Sequence, residues 1–257
     1  MGIRMFVTEG LSSFKNALSD LFFPPTCPFC DSPDVDSGAW LCYDCTDSIS
    51  KIEEPFCSQC GLPLPENNPD GALFCGQCLI ATPAYHRARY GVKYKGTLRE
   101  GLKRFKYGGA LHATDALSGI LIEAYRRHYE HDEFDLILPI PIHRKKLWER
   151  GFNQVIVLTE KLSRHVGIPM NRTCLRKSVN TPPQAGLTRH ERLSNLRGSF
   201  IVSRPDAIKD KRLLLVDDVA TTGSTITEAA RTIRKAGAAR VDALVLALTP
   251  MRGNDRP

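Results

Sequence analysis

Residues 212–228, RLLLVDDVATTGSTITE, decide how this chain is read. Four apolar residues, Leu213, Leu214, Leu215 and Val216, run into two consecutive carboxylates, Asp217 and Asp218. A loop of small residues follows, Thr221, Thr222, Gly223, Ser224 and Thr225, and then a helical pattern. That order predicts a buried parallel strand, a turn at its carboxyl end, and a helix whose first turn faces back onto the loop. Such a turn collects anions. Backbone N–H groups and the helix dipole attract phosphate, Gly223 lets the backbone approach, and the hydroxyls add donors. The two acids cannot hold phosphate, but they accept hydrogen bonds from a cis-diol. Together the halves describe a ribose 5-phosphate site. No Lys follows the loop glycine, which excludes a Walker A loop, and no G-x-G-x-x-G follows an early strand.

At 257 residues the chain has room for one α/β domain and a smaller module. Hydrophobic content of 42 % and charged content of 25 % fit a soluble globular protein. No apolar run approaches the roughly 20 residues that cross a bilayer, so no membrane span is expected. Residues 1–26 predict an amphipathic helix, with Leu11, Phe14, Leu18, Leu21 and Phe22 on one face. Glu9, Lys15 and Asp20 interrupt it, which excludes a signal peptide's apolar region and points to the cytoplasm. Nine cysteines in that compartment suggest metal rather than disulfides.

Four C-x-x-C pairs follow, Cys27/Cys30, Cys42/Cys45, Cys57/Cys60 and Cys75/Cys78. Two such knuckles make a tetrahedral S₄ site suited to Zn²⁺. Eight cysteines make two sites, either from neighbouring knuckles or interleaved. Glycines after Cys60 and Cys75 supply the flexibility these turns favour. A thioredoxin-like pair needs a βαβ setting, and iron–sulfur spacing differs. Few large apolar side chains lie in residues 27–82, so the metal is expected to be structural. With four cysteines per site, no vacancy is left for catalysis.

Charge divides the chain. Between Cys27 and Cys78 nine acids face Lys51 alone, whereas residues 87–106 carry eight cations against Glu100. An acidic module thus precedes a basic one, and a polyanion should meet the second. In the basic segment a strand from Tyr85 leads to a helix capped by Thr97, with Leu98, Leu102 and Phe105 on its apolar face. Lys103, Arg104 and Lys106, interleaved with Tyr90, Tyr94, Phe105 and Tyr107, are candidates for single-stranded DNA. A second helix is expected over residues 113–128.

Residues 134–142, FDLILPIPI, read as a second buried strand. It ends in a basic loop, His143 to Gly151, before a helix opened by Phe152, Asn153 and Gln154. A loop with cations at a strand's carboxyl end is where an open α/β sheet binds ligand. Residues 176–198 read as a polar lid whose cations, Arg176, Lys177, Arg189, Arg192 and Arg197 with Arg172 at the edge, close over an anion. Cys174, the odd cysteine, is expected to be a buried thiol. A helix reaching Lys235 and a last buried strand at residues 241–248 complete the domain, with a loose tail after Pro250.

The strand–acid pair–loop motif resembles the phosphoribosyl-pyrophosphate (PRPP) motif of type I phosphoribosyltransferases. With YGVKYKGTLREGLKRFKYGG, LPIPIHRKKLWERGFNQ, the PPQ…LTRHERLSNLRGSF stretch and the paired knuckles, nearly the whole chain resembles the ComF family of competence proteins and their amidophosphoribosyltransferase-like relatives. That resemblance implies a phosphoribosyltransferase-like parallel sheet flanked by helices over residues 83–250, behind a double zinc ribbon over 27–82. Residues 251–257 form the tail. It also implies PRPP brought with Mg²⁺, and a role in DNA uptake handling single strands beside a helicase. Asp217 and Asp218 would meet the ribose hydroxyls, residues 221–225 the 5-phosphate, and Arg144, Lys145 and Arg150 the pyrophosphate. Purine-salvage relatives carry an acid at the first loop position. Thr221 stands there, so that general base is missing and turnover is left open, the alternative being glycosyl transfer to an amine or base.

Overall fold

The computed structural model describes residues 26–65, 73–108, 111–179 and 196–250. The expected helix of residues 1–26, most of the lid (180–195) and the tail after Pro250 lie outside them.

Four strands form one parallel sheet: β1 (Ala88–Lys93), β2 (Leu136–Pro139), β5 (Arg212–Ala220) and β6 (Arg240–Leu248), in the order β1-β6-β5-β2. The apolar runs of β5 and β6 exist because both faces of these central strands are covered. Leu213 and Leu215 pack on one face with helix α7 (Ser224–Lys235), through Ile226, Ala229, Ala230 and Ile233. Leu214 and Val216 pack on the other with α3 (Gly96–Tyr107), α4 (Thr114–Tyr129) and α6 (Gln154–Val166). A small antiparallel pair, β3 (Leu175–Lys177) and β4 (Phe200–Val202), lies on the α7 side and encloses the buried Cys174 thiol, whose pKa burial raises.

Local differences from the sequence reading have tertiary causes. Helix α3 starts at Gly96 with Lys95 before it, and the Thr97 hydroxyl bonds Ser48 Oγ at 2.6 Å instead of capping. Residues 144–150 are a short helix, α5 (Arg144–Arg150), where a loop was expected. His143 accepts from Lys145 N at its start. The second strand covers only Leu136–Pro139 of the expected nine residues.

The two cysteine modules dock on opposite faces of the sheet. In the first, which contains helix α1 (Tyr43–Asp47), Cys27, Cys42 and Cys45 join the core of α3 and α4. Phe29, 2 % exposed, packs against Gly101 of α3, and Trp40 covers Gly119 of α4. The second, with α2 (Gly76–Ile80), joins the α7 face. Between them residues 50–52 run antiparallel to β1, with Lys93 N donating to Ser50 O at 2.7 Å and Ile52 N to Gly91 O at 3.2 Å. The connector therefore covers an edge strand that would otherwise present unpaired backbone.

Much of the expected basic face is structural. Arg87 is ion-paired with Asp132, stacks on Tyr129, and with Arg240 and His86 surrounds the fully buried Asp242. Arg89 stacks on Phe56. Tyr90 and Phe105 belong to the core.

The docking of Phe29 on α3 gives a signed prediction. Gly→Ala inside an unobstructed helix stabilises by roughly 0.5–1 kcal/mol. A Cβ on Gly101 would lie 2.1 Å from Phe29 Cδ1, so Gly101→Ala should instead destabilise by about 1–3 kcal/mol. Urea unfolding should show the loss in the wild-type background and its disappearance in Phe29→Ala. A gain in the wild-type background would contradict this packing.

Candidate functional site: an acid pair at the carboxyl edge of the sheet

Strands β2 and β5 are neighbours, and the helices that follow them diverge. The chain after β2 leads to α6 on one face, and the chain after β5 leads to α7 on the other. A crevice opens at such a divergence, beyond the carboxyl ends of the strands. Asp217 and Asp218 stand there, 9 % and 5 % exposed.

Beyond them the chain turns through Gly223, whose φ of +72° is the left-handed conformation that glycine adopts most cheaply. A Cβ at Gly223 would lie 3.4 Å from the Tyr90 hydroxyl, so the turn sits close against β1. Helix α7 begins at Ser224, and the Thr222 and Ser224 hydroxyls bond each other at 2.7 Å. Thr227 N and its hydroxyl both donate to Gly223 O. Hydroxyls and the positive end of a 12-residue helix thus meet directly after two carboxylates.

Burial of adjacent carboxylates is costly unless charge is compensated. Lys106, at the last turn of α3, places Nζ 2.9 Å from Asp218 Oδ2. Gln154, the first residue of α6, donates Nε2 to the same oxygen at 2.7 Å. Despite burial, Lys106 and Gln154 hold the Asp218 carboxyl below its usual range. Asp217 moves the opposite way. Burial first, and then the charge of Asp218, push it well above the usual carboxylate range, although it accepts from Asp218 N at 2.9 Å. One acid is a charged acceptor and the other favours its proton.

The segment RGFNQ builds the neighbouring wall. Gly151 ends α5, Asn153 caps α6 by accepting from Val155 N and anchors to Ile140 O, and Gln154 turns into the site. Gln154 Oε1 in turn accepts from Arg150 at 3.2 Å, and Arg150 also donates to the Tyr107 hydroxyl at 2.9 Å and stacks on its ring. Asp218, Gln154, Arg150 and the Lys106–Tyr107 turn therefore form one connected network. Lys177, from β3, lies over Phe200; burial and the nearby Lys146 lower its pKa, and Asp217 opposes that.

Sequence reasoning grouped Lys103, Arg104 and Lys106 on one surface. The structure separates them. Lys106 reaches the acid pair, Arg104 bonds Asp31 of the first cysteine module at 2.5 Å, and Lys103 pairs with Glu100. Arg144 and Lys145 are exposed on α5, while Arg150 is turned toward Gln154. The sequence assigns Gln154 no role of its own; its one local signal is an amide directly after an Asn at a helix start, and its burial emerges only in the fold.

The cysteines group by neighbouring knuckles, Cys27, Cys30, Cys42 and Cys45 in one cluster and Cys57, Cys60, Cys75 and Cys78 in the other. Each cluster's sulfurs lie within 4.8 Å of one another, with Cys30–Cys42 and Cys60–Cys75 at 3.6 Å. A Zn–S bond of about 2.3 Å in a tetrahedron separates its sulfurs by about 3.8 Å, so the clusters fit zinc. Gly61 takes φ +68° after the third knuckle, and Asp31 does the same after the first. Gly76 instead opens α2. Burial opposes ionisation of Cys57, yet N–H groups of Cys60, Cys75 and Gln59 bring it down to about 7. Burial and the neighbouring sulfurs raise Cys60 and push Cys78 up to about 12. Such a set becomes fully ionised only around a cation. Among the described residues no helix is long and apolar enough to cross a membrane.

The native protein should hold about two zinc ions per chain. Cys42→Ser and Cys60→Ser should each reduce the ratio toward one in metal analysis. Loss of both ions from either variant would contradict two separate sites.

Family models match residues 18–79 as a double zinc ribbon domain and residues 156–256 as a phosphoribosyl transferase domain. Competence protein F of Haemophilus influenzae is 30 % identical over 211 residues, spanning 80 % of this chain and 90 % of that one. The DNA utilization protein YhgH of Escherichia coli is 30 % identical over 233 residues, spanning 89 % and 99 %. Competence protein ComFC of Bacillus subtilis is 27 % identical over 230 residues, spanning 83 % and 90 %. With its ribbons on both faces of a parallel sheet and its acid pair at the sheet's carboxyl edge, the chain belongs to the ComF family of competence proteins.

Proposed function

We propose that this protein binds PRPP at the carboxyl edge of the sheet and serves DNA uptake, as the names of its relatives suggest. The observation that carries the reading is the acid pair of β5 joined through the Gly223 turn to the start of α7. Diol acceptors and a phosphate-attracting helix end are one turn apart, as a ribose 5-phosphate requires. Thr221, Thr222, Ser224 and Thr225 flank the 5-phosphate in this reading. Arg144, Lys145 and Arg150 face the pyrophosphate, where positive charge stabilises a leaving diphosphate. Mg²⁺ would arrive with the ligand, coordinated mainly by its own oxygens and water.

Replacing Asp217 and Asp218 by Asn should weaken PRPP binding at least tenfold in calorimetry with Mg²⁺, whereas unchanged affinity would remove the site assignment. A pyrophosphate-release assay with bases, amines and single-stranded DNA separates a binding protein from an enzyme. Release that depends on an acceptor means that the C1–oxygen bond to pyrophosphate breaks as a bond to the acceptor nitrogen forms.

For single-stranded DNA, helix α5 is the better candidate face. Trp148 is 93 % exposed beside Arg144, Lys145 and Lys146, and Tyr107 is exposed as well. A ring among cations stacks bases and neutralises phosphates. Trp148→Ala should weaken single-strand binding about tenfold, by roughly 1–3 kcal/mol per stacked base. Lys146→Glu should flatten the salt dependence. If neither changes binding, any strand-binding surface lies elsewhere.

A further inference from the structure

Lys106 is the unexpected member of the site. Its side chain is 14 % exposed, and its ammonium is 2.9 Å from Asp218 Oδ2, on a helix far from β5 in sequence. A lysine on the surface of a basic helix gains little from an ion pair. A lysine withdrawn from solvent to meet one particular carboxylate fixes that carboxylate's charge and orientation. Resting on the reading of the site as a PRPP site, we propose that Lys106 is a positioning residue of ribose recognition: it keeps Asp218 a charged, oriented acceptor for the sugar diol.

The geometry leaves room for this. A carboxylate has about four lone-pair directions; Lys106 and Gln154 both approach Oδ2, and the Val219 N–H also donates to the carboxylate. Capacity therefore remains for a ribose hydroxyl. Among the described residues, few groups face the acid pair. Lys106 comes from α3, Gln154 from α6 with Arg150 behind it, and Asp217 from β5 itself. Lys177 acts on Asp217 from β3, and Tyr94 acts on Lys106. Of these, Lys106 is the cation in direct contact with Asp218. Through Tyr107 and Arg150, the same turn of α3 also steadies the arginine offered to the pyrophosphate. Lys106 thus sets the acceptor for the sugar from the same element that braces the arginine offered to the pyrophosphate.

Lys106→Met removes the charge and keeps much of the length, and Lys106→Arg keeps the charge. The measurement is the pH dependence of PRPP–Mg²⁺ affinity by calorimetry, with thermal melting and zinc content as controls for folding. Binding that needs ionised Asp218 is present above its pKa and is lost as pH falls through it. Without Lys106 that pKa rises, so Lys106→Met should bind at least tenfold more weakly at pH 7. Its acidic loss should begin at a higher pH than in wild type, and Lys106→Arg should restore most of both. If Lys106→Met does not fold, Lys106→Gln carries the same comparison. A folded, charge-free variant whose affinity and acidic limb match wild type would overturn the proposal while leaving the PRPP site standing. A wild-type protein that does not bind PRPP would remove the site reading itself.

Discussion

Two carboxylates on consecutive residues, both withdrawn from water, impose the constraint around which the carboxyl edge of this sheet is built. Each carries a desolvation cost of several kcal/mol when charged, and their mutual repulsion adds to it. Ionising one acid and leaving the proton on the other resolves the conflict. Lys106 and Gln154 select Asp218 for the charge, and Asp217 is left to favour its proton. That selection requires the end of α3 and the start of α6 to meet at β5. Packing of α3 and α6 on the same face of the sheet brings those two helix ends there.

The zinc ribbons complete that arrangement on both sides. The first ribbon covers α3 and α4, the second joins the α7 face, and the connector pairs with β1. Their packing therefore bears on the sheet, since the knuckle sulfurs lie in the same apolar clusters as the strands. Helix α3 touches both worlds. Phe29 and Asp31 of the first ribbon hold it near Gly101 and Arg104, and its last turn reaches the acid pair.

What the sequence displayed was local or periodic. The apolar run before Asp217, the glycine-centred turn and the C-x-x-C spacing are short-range patterns, and each leads to the strand, the turn or the sulfur cluster it implied. What it concealed was the destination of long polar side chains. Lys106, Arg104 and Lys103 are near neighbours in sequence, yet they meet Asp218, Asp31 and Glu100 respectively. Arg87 finds Asp132 and Asp242, remote residues that no window on the sequence brings beside it. Thr97 had a cap's place and composition, but a hydroxyl on Ser48 of the first ribbon claimed it. Helix α5 was hidden because Leu147 and Trp148 are adjacent and exposed among five polar and charged residues, so the segment carries no apolar period and buries no face.

For this edge of the sheet to hold PRPP, the acid pair must receive a ribose. A crystal structure of the protein soaked with PRPP and Mg²⁺ tests this most directly. Ribose hydroxyls are expected within about 2.6–3.2 Å of the Asp217 and Asp218 carboxylates. A 5-phosphate is expected against residues 221–225 at the start of α7, with Lys106 still on Asp218. PRPP bound elsewhere on the protein, or a crevice that remains empty at saturating ligand, would contradict it.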